Sequence, residues 1–180
     1  NYLHKEENNI QSDIIGADIV MHPFEHFEWR AEYAVANKNE EIQSAGNVSL
    51  TSKGSRYNFF LDYLDTDSDF PGYYRDTRYF SASFSASLSR SFEIEASLRN
   101  DRQNYAMDTT RYTAPLTKYQ KLGAKLRLSS TAQLGVSYVM NSRKDRLDDP
   151  KFDYSQKLAR TGFYYRKGRL SLRTYLDAGK

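Results

Sequence analysis

An all-β fold, an antiparallel up-and-down barrel of about ten strands, follows from three features of the sequence. Apolar and polar residues alternate with a period of two along most of the chain, the pattern of strands with one apolar face. The alternating segments run to about ten residues, longer than the five or six usual in soluble sheets and close to what crosses a bilayer at a tilt. Aromatic residues make up 14% of the chain, with 15 Tyr and 10 Phe against four Pro, which favours strands over helices or disorder.

Ten segments carry the pattern: 12–21, 26–37, 42–52, 56–65, 78–89, 92–101, 118–128, 132–141, 154–166 and 169–178. In the second, Phe27, Trp29, Ala31, Tyr33 and Val35 oppose Glu28, Arg30 and Glu32. The fourth sets Tyr57, Phe59, Leu61 and Tyr63 against Asn58, Phe60 and Asp62, and the fifth sets Phe80, Ala82, Phe84, Ala86 and Leu88 against serines. In the sixth, Phe92, Ile94, Ala96 and Leu98 oppose Glu93, Glu95, Ser97 and Arg99. The seventh opposes Leu122, Ala124, Leu126 and Leu128 to Lys121, Gly123, Lys125 and Arg127. The eighth opposes Leu134, Val136, Tyr138 and Met140 to Gln133, Gly135 and Ser137; the tenth opposes Leu170, Leu172 and Leu176 to Arg169, Ser171, Arg173 and Asp177.

The connections sort the two ends of the sheet. "HPFE", "KGS", "RS", "SST" and "KG" are tight hairpin turns. The alternate links are "KNEE" and then three long polar loops, 66–77, 102–117 and 142–153, which fall together at the other end. All of this belongs to one domain, 1–180.

Which environment each face meets is decided by neighbouring segments. Phe27, Trp29, Tyr57, Phe92 and Phe163 lie toward the short turns, and Tyr63, Phe80 and Tyr138 toward the long loops, as two interfacial girdles do. No 18-residue apolar run exists, and no segment of helical period is available to cover a sheet face. The apolar face is therefore assigned to lipid. The polar face, with Glu28, Arg30, Glu32, Asp62, Glu93, Glu95, Arg99, Lys121, Lys125, Arg127, Arg169 and Arg173, is assigned to a hydrated lumen. Net charge of +3, with basic and acidic residues scattered, gives no argument for nucleic acid, and the absence of Cys excludes disulfides and thiolate metal sites.

With these features the chain resembles the porin-like β-barrels of Gram-negative outer membranes, over roughly residues 12–178 and through architecture rather than a motif. The resemblance implies periplasmic short turns, a location in the bacterial outer membrane, and lipid as a partner. It implies a channel or conduit wall, with a plug, a cytochrome or another envelope protein as a further partner, and neither enzymatic activity nor a cofactor. Two features depart from the pattern: the sequence stops at "LDAGK" rather than on a terminal aromatic, and both ends fall on the long-loop side. Both fit five consecutive hairpins of a larger barrel. The alternative is a soluble secreted β-sandwich or barrel acting as a binding module or adhesin.

Few constellations suggest chemistry. His22, His26 and Glu28 offer imidazole and carboxylate ligands but match no standard spacing, so solvated turn residues are the plainer reading. Asp65, Asp67 and Asp69 alternate as at the start of a calcium loop, yet Phe70 stands where an EF-hand needs Gly, and Asp76 where it needs Glu. A looser loop site for calcium is the weaker reading and a solvated acidic loop the plainer one. Glu93 and Glu95 share a face as an acid and base would, but beside the basic segment 118–128 they read as cross-strand ion pairs. The acidic and basic inner segments would either set up a transverse field across a pore or hold strands in register.

Overall fold

The computed structural model is one antiparallel sheet with its strands in sequence order. It describes residues 2–7, 10–38, 41–72 and 74–180, and for 2–7, 10, 11 and 38 the backbone alone. The strands are β1 (Tyr2–Glu7), β2 (Ile10–Phe24), β3 (Phe27–Lys38), β4 (Glu41–Lys53), β5 (Tyr57–Thr66), β6 (Thr77–Ser87), β7 (Phe92–Gln103), β8 (Pro115–Arg127), β9 (Ala132–Asp145), β10 (Asp153–Lys167) and β11 (Leu170–Gly179). The ten strands read from the sequence are β2 to β11. Strand β1, whose sequence "YLHKEE" does not alternate, was not expected; it pairs from Tyr2 opposite Ile15 to Glu7 opposite Ile10.

The sheet is open, with β1 and β11 as its edges. Among the described residues there is no second layer, and the buried apolar side chains are Ala36, Phe70 and Ala114. Its accessible surface of 12722 Å² far exceeds the roughly 9,000 Å² expected of a compact protein of this mass.

The registers incline the strands. One cross-strand row runs Phe24, Phe27, Ser52, Phe59, Phe84, Ala96, Leu122, Tyr138, Ala159, Ala178. The first short turn follows directly on Phe24 in β2, whereas in β10, eight strands on, the turn lies eight residues past Ala159, after Lys167. The sheet thus staggers by one residue per strand. At about 3.3 Å per residue and about 4.8 Å between strands, that slants the strands by about 35°, within the usual range for barrels.

Several boundaries differ from the sequence reading. Strand β2 continues through His22, Pro23 and Phe24 with a register shift between Met21 and Phe24, so the turn is Glu25 and His26 alone. A bulge tolerates Pro23, which has no N–H to give to a ladder, and Phe24 meets Phe27 edge-on with ring centroids 6.4 Å apart. The long loops contract to 67–76, 104–114 and 146–152, because Pro115 to Thr117 and Ser142 to Asp145 join the ladder. Arg169 is not on a strand; it shares the last turn with Gly168, whose φ of 59° suits a tight hairpin. The short link "KNEE" includes Asn39 and Glu40, which lie outside the described residues.

Candidate functional site: the two faces and the loop plate

Pairing places every assigned inner residue except Arg169 on one face. Starting from Glu28, Arg30 and Glu32 in β3, that face passes to Thr51, Ser49 and Asn47, then to Phe60, Asp62 and Leu64, and to the serines of β6. It continues through Glu93, Glu95 and Arg99 to Lys121, Lys125 and Arg127, and ends with Arg173 in β11. The face has apolar members as well, Ala34, Ala36 and Ala45 among them. Phe70, from loop 67–76, sits with Asp18, Glu32, Asn47 and Leu64 around a depression of about 460 Å³ on this face.

Ion pairs link the inner residues across strands. Lys125 Nζ lies 2.9 Å from Glu93 Oε1 and 3.0 Å from Glu95 Oε2, and Lys121 Nζ lies 2.5 Å from Glu95 Oε1. Glu95 can lie flat because its cross-strand neighbour is Gly123, where a Cβ would come within 2.8 Å of Glu95 Oε1. Gly123→Ala is therefore expected to push the carboxylate off both lysines and to cost about 1 kcal/mol, the low end of overpacking. Equal urea midpoints for variant and parent would refute this. Elsewhere Asn47 Nδ2 donates to Asp62 Oδ1 at 3.1 Å, Arg99 Nη2 to Asp101 Oδ2 at 3.1 Å, and His22 Nε2 lies 3.2 Å from Glu28 Oε2. Arg30 stands 3.8 Å from Glu28.

Sequence reasoning passed over Arg160, whose Nε and Nη2 donate to the two carboxylate oxygens of Asp177 at 2.7 and 2.8 Å. It also gave the inner tyrosines no role. Arg99 lies over Tyr79 at 5.1 Å, Arg160 over Tyr175 at 5.4 Å and Arg173 over Tyr164 at 5.5 Å. The unusual Tyr content was the available signal: rings flatten long cations against the wall.

The outer face holds all eight aromatic residues assigned to it. Stepping one residue per strand to follow the slant, Phe27 in β3, Tyr57 in β5 and Phe92 in β7 fall at one level. Tyr63, Phe80 and Tyr138 fall, within one residue, at a second level toward the loops. Trp29 and Phe163 sit two and about three residues deeper than the first level, and Tyr165 occupies that level on β10 instead. Between the two levels lie exposed Leu122, Val136 and Leu172, and exposed Leu98 and Leu176 fall at the second level.

At the loop end three connections interlock. Asp76 Oδ1 accepts from Ala106 N at 2.8 Å, and Arg111 Nη1 stands 3.0 Å from Asp76 Oδ2. Asn104 Nδ2 donates to the carbonyls of Asp108 and Thr113, and its Oδ1 accepts from Asp108 N. Arg146 Nη2 donates to the carbonyls of Gln103 and Asn104 at 3.0 and 2.8 Å. Asp145 Oδ1 accepts from Ala114 N and Oδ2 from Lys151 N. Asp108 accepts from Thr110 N and Oγ1, which holds its carboxyl below the usual carboxylate range.

The aspartates considered for calcium do not converge. Asp65 is in β5 on the outer face, where Arg78 Nη2 and Nε donate to its Oδ2 at 2.7 and 3.1 Å and Tyr63 OH at 3.0 Å. Asp67 Oδ2 accepts from Ser44 N and Oγ at 2.7 and 2.9 Å. Asp69 is in the turn beyond. Among the described residues no three of His, Asp and Glu are placed to hold a metal ion. No protein-family model matches the chain, and no curated protein matches it significantly.

Proposed function

We propose that the chain forms part of the wall of a β-barrel in a bacterial outer membrane, lining a channel for polar solutes or a conduit around a partner protein. The observation that supports this reading is a single sheet with two uncovered faces of opposite polarity. One presents Leu, Val and Ala between aromatic levels; the other presents linked charges. An apolar face of this size left in water would be an aggregation hazard, while lipid would cover it at no cost in exposed polar groups once the edges β1 and β11 are paired, since the ladder satisfies the backbone of the strands between them.

The topology adds a condition on closure. Ten reversals separate β1 from β11, so these edges run in the same direction. An all-antiparallel barrel must pair β11 with β2, or insert an odd number of further strands between β11 and β1. On this reading the wall acts passively: its outer belt anchors it, its inner charges select, and its interlocked loops cover one mouth.

Detergent dependence tests the reading. In micelles the protein is expected to be folded, monodisperse and faster-migrating unheated than boiled on a denaturing gel. A chain that stays folded and monodisperse with no detergent overturns it. The inner ladder is tested separately: replacing Glu93 and Glu95 by Gln leaves Lys121 and Lys125 without partners. In a planar bilayer under a salt gradient, the reversal potential should move toward anion selectivity. An unmoved potential would mean that the ladder only holds the strands in register.

A further inference from the structure

Resting on the membrane reading, we propose that the outer face at the long-loop end binds the phosphate groups of an anionic membrane lipid through Arg102, Lys118 and Lys157. The cross-strand row through Arg78 runs Arg78, Arg102, Leu116, Lys144, Asp153. Stepping one residue per strand toward the short turns puts Lys118 of β8 and Lys157 of β10 level with Arg78 of β6, and Arg102 of β7 within one residue of that level. All four share the face of Leu98 and Leu122.

This level has the depth of a headgroup. It lies about three residues outside Tyr63, Phe80 and Tyr138, the aromatic level on the loop side. Within β7, Phe92 at the opposite girdle and Arg102 are ten residues apart. At about 3.3 Å per residue and about 35° of slant, that is about 27 Å along the membrane normal, about 9 Å beyond the loop-side aromatic level, where the headgroup phosphates lie.

The three cations are also available. Arg78 is taken by Asp65 and by Tyr105 OH, 2.7 Å from its Nη1, but Arg102, Lys118 and Lys157 have no carboxylate at ion-pair distance among the described residues. Lys118 and Lys157 are exposed, and Arg102 is half-buried. On β3 and β4 the same level carries Asn37 and Ser44, so the site is confined to the sector from β6 to β10. Unpaired cations just outside an interfacial aromatic level complement the phosphates of an anionic leaflet.

The test compares the parent with a variant carrying Arg102→Ser, Lys118→Ser and Lys157→Ser, both refolded in micelles. Native mass spectrometry would count retained molecules of a phosphorylated glycolipid, of the same glycolipid stripped of phosphate, and of neither with inorganic phosphate added. The parent should retain the phosphorylated lipid and not the stripped one. At about fivefold per cation, the triple variant should lose about a hundredfold in apparent affinity. A version with Lys118→Arg and Lys157→Arg should retain it. Equal retention of stripped lipid, or an unaffected triple variant, overturns the proposal, as does displacement by millimolar inorganic phosphate, which would indicate a free-anion site. These outcomes leave the membrane reading intact, whereas folding without detergent would remove both.

Discussion

Leu122→Arg is expected to destabilise the bilayer-embedded protein by about 1–3 kcal/mol, the cost of a cation inside a barrel's lipid-facing belt but on the loop side of its midplane. Leu122 is 66% exposed and packs against no second layer. On the slanted sheet it lies about five residues in from the level of Phe92 and one to two from the level of Tyr63, Phe80 and Tyr138. In water the same exchange at so exposed a position would fall within about 0.5 kcal/mol. Ser83→Arg is the control: Ser83 is at nearly the same depth but on the inner face, opposite Ser97 and Phe60. There a cation meets water and polar neighbours, and the effect should stay below about 1 kcal/mol. Urea unfolding in lipid vesicles measures both. Equal effects at Leu122 and Ser83 would mean that neither face meets lipid, and the membrane reading would fail.

The difference between those two positions was legible in the sequence because a period of two writes the sheet's faces directly into the residue order. Ten strands and the facing of Glu93, Lys125, Phe80 and Tyr138 followed from it. What the pattern could not carry was anything independent of side-chain polarity. Strand β1 and the ends of β8 and β9 are strands because their backbone groups find ladder partners, and polar residues such as Thr117, Ser142 and Lys144 do this as well as apolar ones. His22 and Pro23 looked like a turn because Pro breaks ladders, yet a bulge absorbed them. The one-residue stagger that puts Lys118 and Lys157 at one level is a property of pairing between strands, and no single segment encodes it. Asp65 looked like a loop ligand until Arg78, thirteen residues on, was placed opposite it.

Asp76→Ala is expected to release loop 104–114 from loop 67–76 at a cost of about 2–4 kcal/mol. Asp76 is 1% exposed and holds a φ of 49°, a conformation in which Ala costs about 1 kcal/mol and Asp less. Its N donates to Asp67 O at 3.0 Å and its O accepts from Tyr105 N at 3.1 Å, so the backbone here carries the fastening and depends on that φ. Removing the carboxylate also leaves Ala106 N without its acceptor, at about 1–3 kcal/mol for a buried donor, and leaves Arg111 with Ser68 O and Asp108 as its remaining partners. Asp76→Asn keeps the φ preference and one oxygen for Ala106, and loses only the charge opposite Arg111, which is partly exposed; it should cost less than half as much. Hydrogen exchange at Ala106 and tryptic cleavage after Arg111 read the release. The opening would be local, since the ladder from β5 to β9 does not pass through these loops; global unfolding should shift far less than exchange at Ala106. If exchange at Ala106 stays protected in Asp76→Ala, the loops are held by Arg146 and Asn104 instead, and Asp76 is not the latch.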